Sequence, residues 1–272
     1  MGEGAIDVDA YFERMGHRGP RTATLETLSA LHLAHPSVIP FESLNPLLGR
    51  PVRIDPDSLA QKLIASRRGG YCFEQNGLFK LVLEALGFQV TPLAARVRWM
   101  LPEDAPRTSL SHMLLKVDLP EGPFLADVGF GGQSPTAPLR LELGLEQTTP
   151  HGVYRLVPDA DGHDLQMRLP DRWESMYRFR VEPQGQRDYE VFNWFTSTHP
   201  DSHFTKNLIA ARVAGERRLN LLNNTLTAYW PDGRSEARTL DDAKAAHAVL
   251  EGDLGIEIEC AEIERIWGRL PS

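Results

Sequence analysis

The chain has 272 residues, of which 42% are hydrophobic and 24% are charged, and its formal net charge is −8. This length and composition predict one globular unit of two or three subdomains with a sizeable core. The acidic balance argues against a nucleic-acid partner, because nucleic-acid affinity comes largely from clustered lysines and arginines. The N-terminus lacks a signal-peptide pattern and no run of ~18 apolar residues occurs, so we expect a cytoplasmic protein without a membrane partner.

Residues 1–87 show mostly helical patterns. Asp9 is the expected N-cap of a first helix. Ser58, with Gln61 at the capping-box position, is the expected start of another.

The most regular helical pattern follows Cys72. Gly87 lies where a left-handed C-cap would end this helix, so Cys72 is expected in its first turn. Apolar residues recur along it at i, i+3, i+4, i+7 and i+8, namely Leu78, Leu81, Val82, Ala85 and Leu86.

Residues 88–190 change to short β-branched or alternating runs separated by turn residues, which predicts an antiparallel sheet or barrel. The runs are 88–90, 95–99, 112–117, 124–128 and 153–157. In the remainder of the chain, the sequence predicts strands at 218–222 and 226–230, a turn at 231–234 and a capped helix at 241–250.

Cys72 is one of only two cysteines and follows Gly69 and Gly70. The start of a helix favours a thiolate, the reactive form of cysteine, through unpaired N–H groups and the helix dipole. The glycine pair can adopt backbone angles closed to other residues and allow a substrate to approach closely. Free cysteines are also commonly buried and inert. With Cys260 as the other thiol and no C-x-x-C pair, we expect neither a disulfide framework nor a cysteine-rich zinc site.

A nucleophilic cysteine needs a base and an orienting group. His112 begins a strand-like run, and Asp127 interrupts an apolar one, where an unpaired charge would be costly. His32 and His35 share a helical face, which is too little for a metal site. The other histidines in polar contexts are expected to be solvated, namely His17, His151, His163, His199 and His203.

The distance between His112 and Asp127 depends on the hairpin between them. A symmetric loop at Pro120–Pro123 would put Asp127 opposite Lys116, four positions from His112 on the same face. Contact requires a turn centred nearer Leu119–Pro120, a bulge, or strands that are not adjacent.

Several motifs resemble the arylamine N-acetyltransferase family. Arg68–Asn76 matches the signature R-G-G-x-C-x-E-x-N, and Ile39–Leu44 resembles the P-F-E-N-L element, with serine at its fourth position. Ser111–Met113, Ala126–Gly132 and Asn193–Phe204 match in order and spacing. These elements cover most of residues 8–210.

The resemblance implies a catalytic triad of Cys72, His112 and Asp127 in a cysteine-protease-like core. The implied fold is α+β, with a helical bundle (1–87), an antiparallel β-barrel (88–190) and an α/β lid (191–272). The implied reaction transfers an acetyl group from acetyl-CoA, the co-substrate, to the nitrogen of arylamines, arylhydrazines or similar xenobiotic amines. It follows a ping-pong mechanism through acetyl-cysteine and uses no metal.

The resemblance also implies binding residues and one scaffold contact. Phe130, Tyr71, Phe41, Val97 and Phe204 match acceptor-pocket positions, with ordinary core packing as the alternative. The backbone at Gly129, Gly131 and Gly132 resembles the loop that receives the coenzyme A pyrophosphate, and Thr108, Ser109 and Trp230 are further contact candidates. Arg14 and Glu42 resemble a structural ion pair.

Alternatives are an amide synthase of the same family, a Cys-His-Asp hydrolase or transglutaminase-like enzyme, and a non-catalytic binding protein. Continuous release of coenzyme A only when an aromatic amine is present would separate the acetyltransferase from the hydrolase. The preferred amine and the oligomeric state are left open.

Overall fold

The computed structural model describes residues 6–160 and 162–271. Its helices are α1 Val8–Met15, α2 Leu25–Val38, α3 Leu44–Leu47, α4 Pro56–Leu59, α5 Cys72–Ala85, α6 Gln186–Thr198, α7 Ala243–Ala248 and α8 Cys260–Trp267. Its strands are β1 Phe41–Glu42, β2 Gln89–Val97, β3 His112–Leu119, β4 Gly122–Ala126, β5 Leu139–Arg140, β6 Gln147–Thr149, β7 Gly152–Asp159, β8 Gly162–Arg168, β9 Trp173–Phe179, β10 Ile209–Ala214, β11 Arg217–Leu222, β12 Thr225–Tyr229 and β13 Ser235–Thr239. In the described residues, no helix is long and apolar enough to cross a membrane.

The N-terminal helices begin at different caps from those predicted. The N-cap of α1 is Asp7, whose carboxylate accepts from the Ala10 N–H at 3.0 Å, and Asp9 lies in the first turn. The start of α4 is capped by Asp55, which accepts from the Ser58 N–H at 3.0 Å. Pro56 explains the earlier start, because proline suits the first helical position.

Helix α5 begins at Cys72 as predicted, but its buried face differs in part from the predicted apolar stripe. Leu78 and Val82 are fully buried in the core shared with α1, α2 and the outer face of the barrel, together with Leu83, which lies outside the predicted stripe. Leu81 is half-buried, Ala85 is exposed and Leu86 is the C-cap. The helix ends before Gly87, which has φ +88°. A left-handed residue at this place is a common helix stop.

The central sheet is a nearly closed antiparallel barrel. Its eight strands follow the order β5-β4-β3-β2-β9-β8-β7-β6. The Gln147 side chain on edge strand β6 bridges to the other edge, accepting from the Arg140 N–H at 2.7 Å and donating to its carbonyl at 3.0 Å. The runs 88–90 and 95–99 belong to the single strand β2.

The third part is a five-stranded sheet in the order β1-β10-β11-β12-β13. Helices α7 and α8 contribute to its apolar core, where Ile263 and Ile266 join Leu219 and Leu221 of β11. Strand β1 comes from the N-terminal segment and pairs with β10. The mixed α+β class with its helices, barrel and C-terminal sheet is thus confirmed.

Two helices, α6 and α8, do not follow from the predicted elements. The buried residues of α6 include Asn193, Thr196 and Ser197, while Val191 and Trp194 are exposed, so its hydrophobic pattern is weak. Helix α8 has a readable signal in the i, i+3 pair Ile263 and Ile266.

The expected ion pair between Arg14 and Glu42 is absent from the described contacts. Glu42 pairs with Arg68 at 2.7 Å and lies 3.5 Å from Lys62. Burial would raise the pKa of Glu42, but these two cations hold it below its usual value. Arg14 instead donates to backbone carbonyls, including that of Val38 at 3.1 Å.

Candidate active site

Cys72 is the first residue of α5 and is 3% exposed. Its thiol lies 3.5 Å from the Ser111 carbonyl oxygen, on the segment that enters β3. The Glu74 carboxylate accepts from the Tyr71 N–H at 3.0 Å and so caps the helix at the residue before Cys72. The helix start and the barrel therefore meet at this thiol.

The glycines before Cys72 are required by close packing. A Cβ on Gly69 would lie 2.0 Å from the Pro40 carbonyl oxygen, and one on Gly70 would lie 2.8 Å from the Glu74 side chain. Neither glycine is among the described residues with positive φ, so the expected use of unusual backbone angles is wrong. Their function here is to let the chain pass Pro40 and Glu74.

His112 and Asp127 are in contact. The His112 Nε2 lies 2.7 Å from the Asp127 Oδ2, and both side chains are buried. The hairpin loop is Pro120 and Glu121, since Leu119 pairs with Gly122. The turn is thus centred one residue nearer Leu119 than the symmetric loop would be. Continued past Ala126, this register brings Asp127 within two positions of His112 and keeps both on one face.

Three groups donate hydrogen bonds to the Asp127 carboxylate. Besides His112, these are the Asn76 side-chain amide and the Gly129 N–H, each 2.9 Å from Oδ1. The Asp127 backbone N–H donates to His32 Nε2 at 3.0 Å. The carboxylate is therefore fixed in position and cannot rotate without losing several bonds.

Asn76 and His32 are site residues that the sequence reasoning missed. Asn76 lies one turn after Cys72 on the same face of α5, and this i, i+4 spacing was the available signal. It also donates to the Met113 carbonyl at 2.7 Å and accepts from the Val128 N–H at 3.0 Å. His32 had no local signal, because its contact with Asp127 joins residues far apart in sequence.

The electrostatics favour a charged His112–Asp127 pair. Burial alone would lower the pKa of His112, but the Asp127 charge and hydrogen bond, with a further contribution from Cys72, raise it to about 10. Burial would raise the pKa of Asp127, whereas His112, Asn76 and the Gly129 amide lower it below its usual value. Both directions indicate imidazolium next to carboxylate at neutral pH.

An aromatic wall lies beside His112. The Phe130 ring is 5.2 Å from the imidazole, in an edge-to-face arrangement, and the Tyr177 ring is 4.9 Å away. Trp99 packs on the far side of Phe130 at 6.4 Å. Next to this wall is a cleft of about 590 Å³ whose described lining is Trp99, Met100, Phe130, Gly132, Gln133, Asn220, Leu222, Asn223, Asn224, Thr225, Thr227, Tyr229 and Pro271.

Three of the aromatic pocket candidates pack together. Phe204 contacts Phe41 at 6.1 Å and Tyr71 at 5.4 Å between ring centroids. The Tyr71 hydroxyl bonds to Asn193 of α6. Val97 lies apart from them, half-buried at the end of β2 and paired with Tyr177 of β9.

The coenzyme A candidates separate into different environments. The Gly129 N–H is bonded to Asp127, whereas Gly132 lines the cleft beside Phe130. Thr108 donates from its hydroxyl to the Val97 carbonyl at 3.0 Å, and Ser109 is exposed; neither is in the described lining of that cleft. Gly131 adjoins Gly132 with φ +83°.

Trp230 lies in a second cleft, of about 640 Å³, where the Arg234 guanidinium covers its ring at 3.9 Å.

His151 lines the same cleft and is buried, which corrects the expectation that it is solvated. Its ring bonds to Thr136 at 3.1 Å and to the Gly215 carbonyl at 2.8 Å. These contacts join turns that are distant in sequence, so no local sequence pattern predicts them.

Comparisons with known proteins agree with this geometry. A family model described as N-acetyltransferase matches residues 24–263. The chain is 45% identical to an arylamine N-acetyltransferase of Mycobacterium tuberculosis over 257 residues, covering 93% of this chain and 90% of that one. It is 43% identical to one from Escherichia coli, with 93% and 89% covered.

Among solved structures, the Mycobacterium marinum arylamine N-acetyltransferase in complex with CoA superposes with a TM-score of 0.94 at 42% identity. That match covers 97% of this chain and 100% of the other. The family model, these relatives and the superposition together show that the chain belongs to the arylamine N-acetyltransferase family, as its motifs predict.

Proposed function

We propose that this chain transfers acetyl groups from acetyl-CoA to arylamines in two half-reactions, through an acetyl-Cys72 intermediate. The observation that carries the proposal is the buried set of Cys72 at the start of α5, His112 at the start of β3 and Asp127 after β4, with His112 bonded to Asp127. His112 exchanges protons, and Asp127 holds its ring and stabilises its charge. The same arrangement of nucleophile, base and orienting acid serves acyl transfer on unrelated folds.

In the first half-reaction, the Cys72 thiolate attacks the thioester carbonyl and a carbon–sulfur bond forms. Backbone N–H groups at the start of α5 stabilise the tetrahedral oxyanion, because the first N–H groups of a helix have no intrahelical acceptor. The intermediate then collapses, the bond to the coenzyme A sulfur breaks, and that sulfur leaves with the proton of His112. The products are acetyl-Cys72, neutral His112 and free coenzyme A.

In the second half-reaction, the amine attacks the acetyl-Cys72 carbonyl. An arylamine is a weak base and is unprotonated near neutral pH, so its lone pair is available. Its excess proton passes to His112 as Cys72 leaves as thiolate, which restores the ion pair. Because Asp127 stabilises the protonated imidazole, it favours this return of the proton to His112.

We infer that coenzyme A occupies the cleft beside Phe130. The structure of the M. marinum relative in complex with CoA supports a coenzyme A site in this fold. Gly132 and Gln133 line the cleft, and backbone amides of such a loop suit phosphate oxygens in an acidic protein. After coenzyme A leaves, the aromatic amine would lie against Phe130, with Phe41, Tyr71, Val97 and Phe204 as the remaining pocket candidates.

Arylhydrazines are a second acceptor class that the same mechanism would accept, since their nitrogen is also a neutral nucleophile. A cytoplasmic location fits both the acetyl-CoA requirement and the two free thiols. These points extend the proposal beyond the family activity itself.

Initial-rate kinetics test the two-step mechanism. Plots against both substrates are expected to be parallel, because the first product leaves before the second substrate reacts. Intact mass spectrometry of enzyme mixed with acetyl-CoA alone should show one added acetyl group, absent in Cys72→Ala. Intersecting plots with no acetylated enzyme under rapid quench would contradict the mechanism, and coenzyme A release at full rate without amine would favour a hydrolase.

A further inference from the structure

Arg218 is a buried arginine that faces the barrel. It lies on β11, where the alternate residues Leu219 and Leu221 enter the apolar core of the five-stranded sheet. Successive side chains of a strand point to opposite faces, so Arg218 projects the other way. Only 3% of the residue is exposed.

All four acceptors of the Arg218 guanidinium are neutral oxygens. Nε donates to the His151 carbonyl at 3.1 Å, and Nη1 donates to the carbonyls of Gly132 at 3.0 Å and Ser134 at 2.8 Å. Nη2 donates to the Tyr154 hydroxyl at 2.7 Å. No ion pair joins Arg218 to a carboxylate within 6–160 and 162–271.

A buried guanidinium without a counterion is costly, and its five donors recover that cost only if the acceptors are well placed. Here two acceptors belong to one loop, residues 129–134, which contains the described cleft residues Phe130, Gly132 and Gln133. Because a trans peptide directs its C=O and N–H to opposite sides, the carbonyl of Gly132 directed at Arg218 turns the Gln133 N–H away from it.

Two further contacts hold the same loop. The Tyr154 hydroxyl, which accepts from Arg218, donates to the Gln133 carbonyl at 3.1 Å. Asn220, two residues along β11 on the same face, packs so closely that a Cβ on Gly132 would lie 2.1 Å from its side-chain oxygen. The loop is therefore held by β11 and Tyr154, and Asn220 of that strand also lines the cleft beside Phe130.

We propose that Arg218 is a positioning residue for the acetyl donor, which fixes the 129–134 loop so that its front edge accepts coenzyme A. This inference rests on the proposed function and adds to it a residue of the five-stranded sheet. Arg218 bonds to the carbonyls of Gly132, Ser134 and His151 and to the Tyr154 hydroxyl, and none of these bonds reaches the catalytic side chains. Gly129 and Phe130, the loop residues that contact Asp127 and His112, are not among its acceptors, so we expect donors that lack the coenzyme A portion to be nearly insensitive to its replacement.

The test compares two acetyl donors in the wild type and Arg218→Lys. Lysine keeps the charge but cannot reproduce the fork of donors. With acetyl-CoA, we expect kcat/KM to fall about tenfold or more, mainly through KM, while with p-nitrophenyl acetate it stays within about twofold. Arg217→Lys, an exposed neighbour on the same strand, is the matched control and should change neither value.

Equal losses with both donors, or no loss with either, would overturn the assignment of Arg218. A wild type that acetylates Cys72 from the ester but never from acetyl-CoA would instead overturn the proposed function, and the inference with it. If Arg218→Lys does not fold, Tyr154→Phe removes one of its acceptors and one support of Gln133 while the ring remains in the core. In that variant, kcat/KM with acetyl-CoA should fall about threefold relative to kcat/KM with p-nitrophenyl acetate. Equal effects on both donors would contradict the proposal.

Discussion

Asp127 is surrounded so that only a carboxylate satisfies its neighbours. Oδ1 accepts from Asn76 and the Gly129 N–H, and Oδ2 accepts from His112. In Asp127→Asn, an NH₂ group must face a donor on one side or the other. A buried donor facing a donor costs roughly 1–3 kcal/mol, and the neutral amide no longer stabilises the imidazolium.

We therefore expect Asp127→Asn to remain folded and to lose about 10²- to 10⁴-fold in kcat/KM. Steady-state kinetics with acetyl-CoA and an arylamine measure the loss, and thermal unfolding verifies the fold. Asp118→Asn, which changes a carboxylate on the neighbouring strand β3 that pairs with Lys116, is the control and should keep full activity. A folded Asp127→Asn enzyme with wild-type rates would remove Asp127 from the triad.

The two cysteines allow an internal comparison of thiol reactivity. Partial burial and the Glu264 carboxylate raise the pKa of Cys260, so its alkylation should slow early as the pH falls. Cys72 lies beside an imidazole whose pKa is raised to about 10, which keeps a positive charge near the sulfur. Iodoacetamide should thus alkylate Cys72 faster than Cys260 at neutral pH, although Cys72 is the more buried of the two thiols.

Peptide mapping after brief iodoacetamide treatment at neutral pH gives both alkylation rates. Replacing His112 with glutamine should slow the alkylation of Cys72 and leave that of Cys260 unchanged. A wild-type Cys72 that reacts no faster than Cys260 would contradict the activated pair.

Among the secondary-structure elements and their connections, the turn that precedes α5 requires glycine at two positions because its neighbours pack too closely for a Cβ atom. Gly69 passes within van der Waals distance of the Pro40 carbonyl, and Gly70 passes the Glu74 side chain. The Gln75 amide donates to the Pro40 carbonyl at 2.7 Å and to that of Gly70 at 3.2 Å. The turn before the nucleophile is thereby fixed by contacts with Pro40, the residue before β1, as well as by α5 itself.

Gly69→Ala should therefore disturb both stability and catalysis. A methyl group 2.0 Å from the Pro40 oxygen must displace the turn, and we expect the free energy of unfolding to fall by about 2 kcal/mol. Chemical denaturation and kcat/KM measure the two effects. Gly268→Ala, where a Cβ meets nothing within 4 Å, is the matched control. Unchanged activity and stability in Gly69→Ala would mean that the turn tolerates displacement.

Whether the sequence predicts a helix correctly depends on whether the pattern that specifies it lies within one short segment. Helix α5 was predicted because its apolar spacing and the glycine after it are properties of one short segment. The caps of α1 and α4 were placed too late because aspartates two or three residues earlier compete for the same orphan N–H groups. Helix α6 has a largely polar buried face, which hydrophobic periodicity does not detect.

At the scale of the whole molecule, most of what sequence reasoning missed is non-local. The pairing of β1 with β10, His32 at Asp127, and Arg218 under the 129–134 loop all join residues that are far apart in the chain. Motif resemblance named Cys72, His112 and Asp127 but not the groups that hold them. The division of the chain at 87 and 190, and the role of each candidate site residue, stay predictions.

Two buried histidines make the stability of the folded protein depend on pH. Burial is the first cause in each case: it lowers the pKa of His32 to about 4 and that of His35 to about 3. His35 is held between the Tyr11 hydroxyl at 2.9 Å and the Gln75 side-chain oxygen at 2.6 Å. Both rings are therefore neutral in the folded state at pH values where an unfolded histidine, with a pKa near 6.5, is protonated.

Stability should consequently fall as the pH drops below about 6.5, because the unfolded chain then binds protons that the folded chain excludes. The raised pKa of His112 acts in the opposite sense, but its stabilisation is nearly complete at pH 6.5 and changes little below it. With about 1.4 kcal/mol per pH unit and histidine, the two buried rings should lower the free energy of unfolding by roughly 3 kcal/mol between pH 6.5 and 5.0. Urea denaturation at both values measures this difference, and His35→Gln should reduce it by about half. A wild-type difference near zero, or one that His35→Gln does not alter, would show that these histidines are not excluded from protonation by the fold.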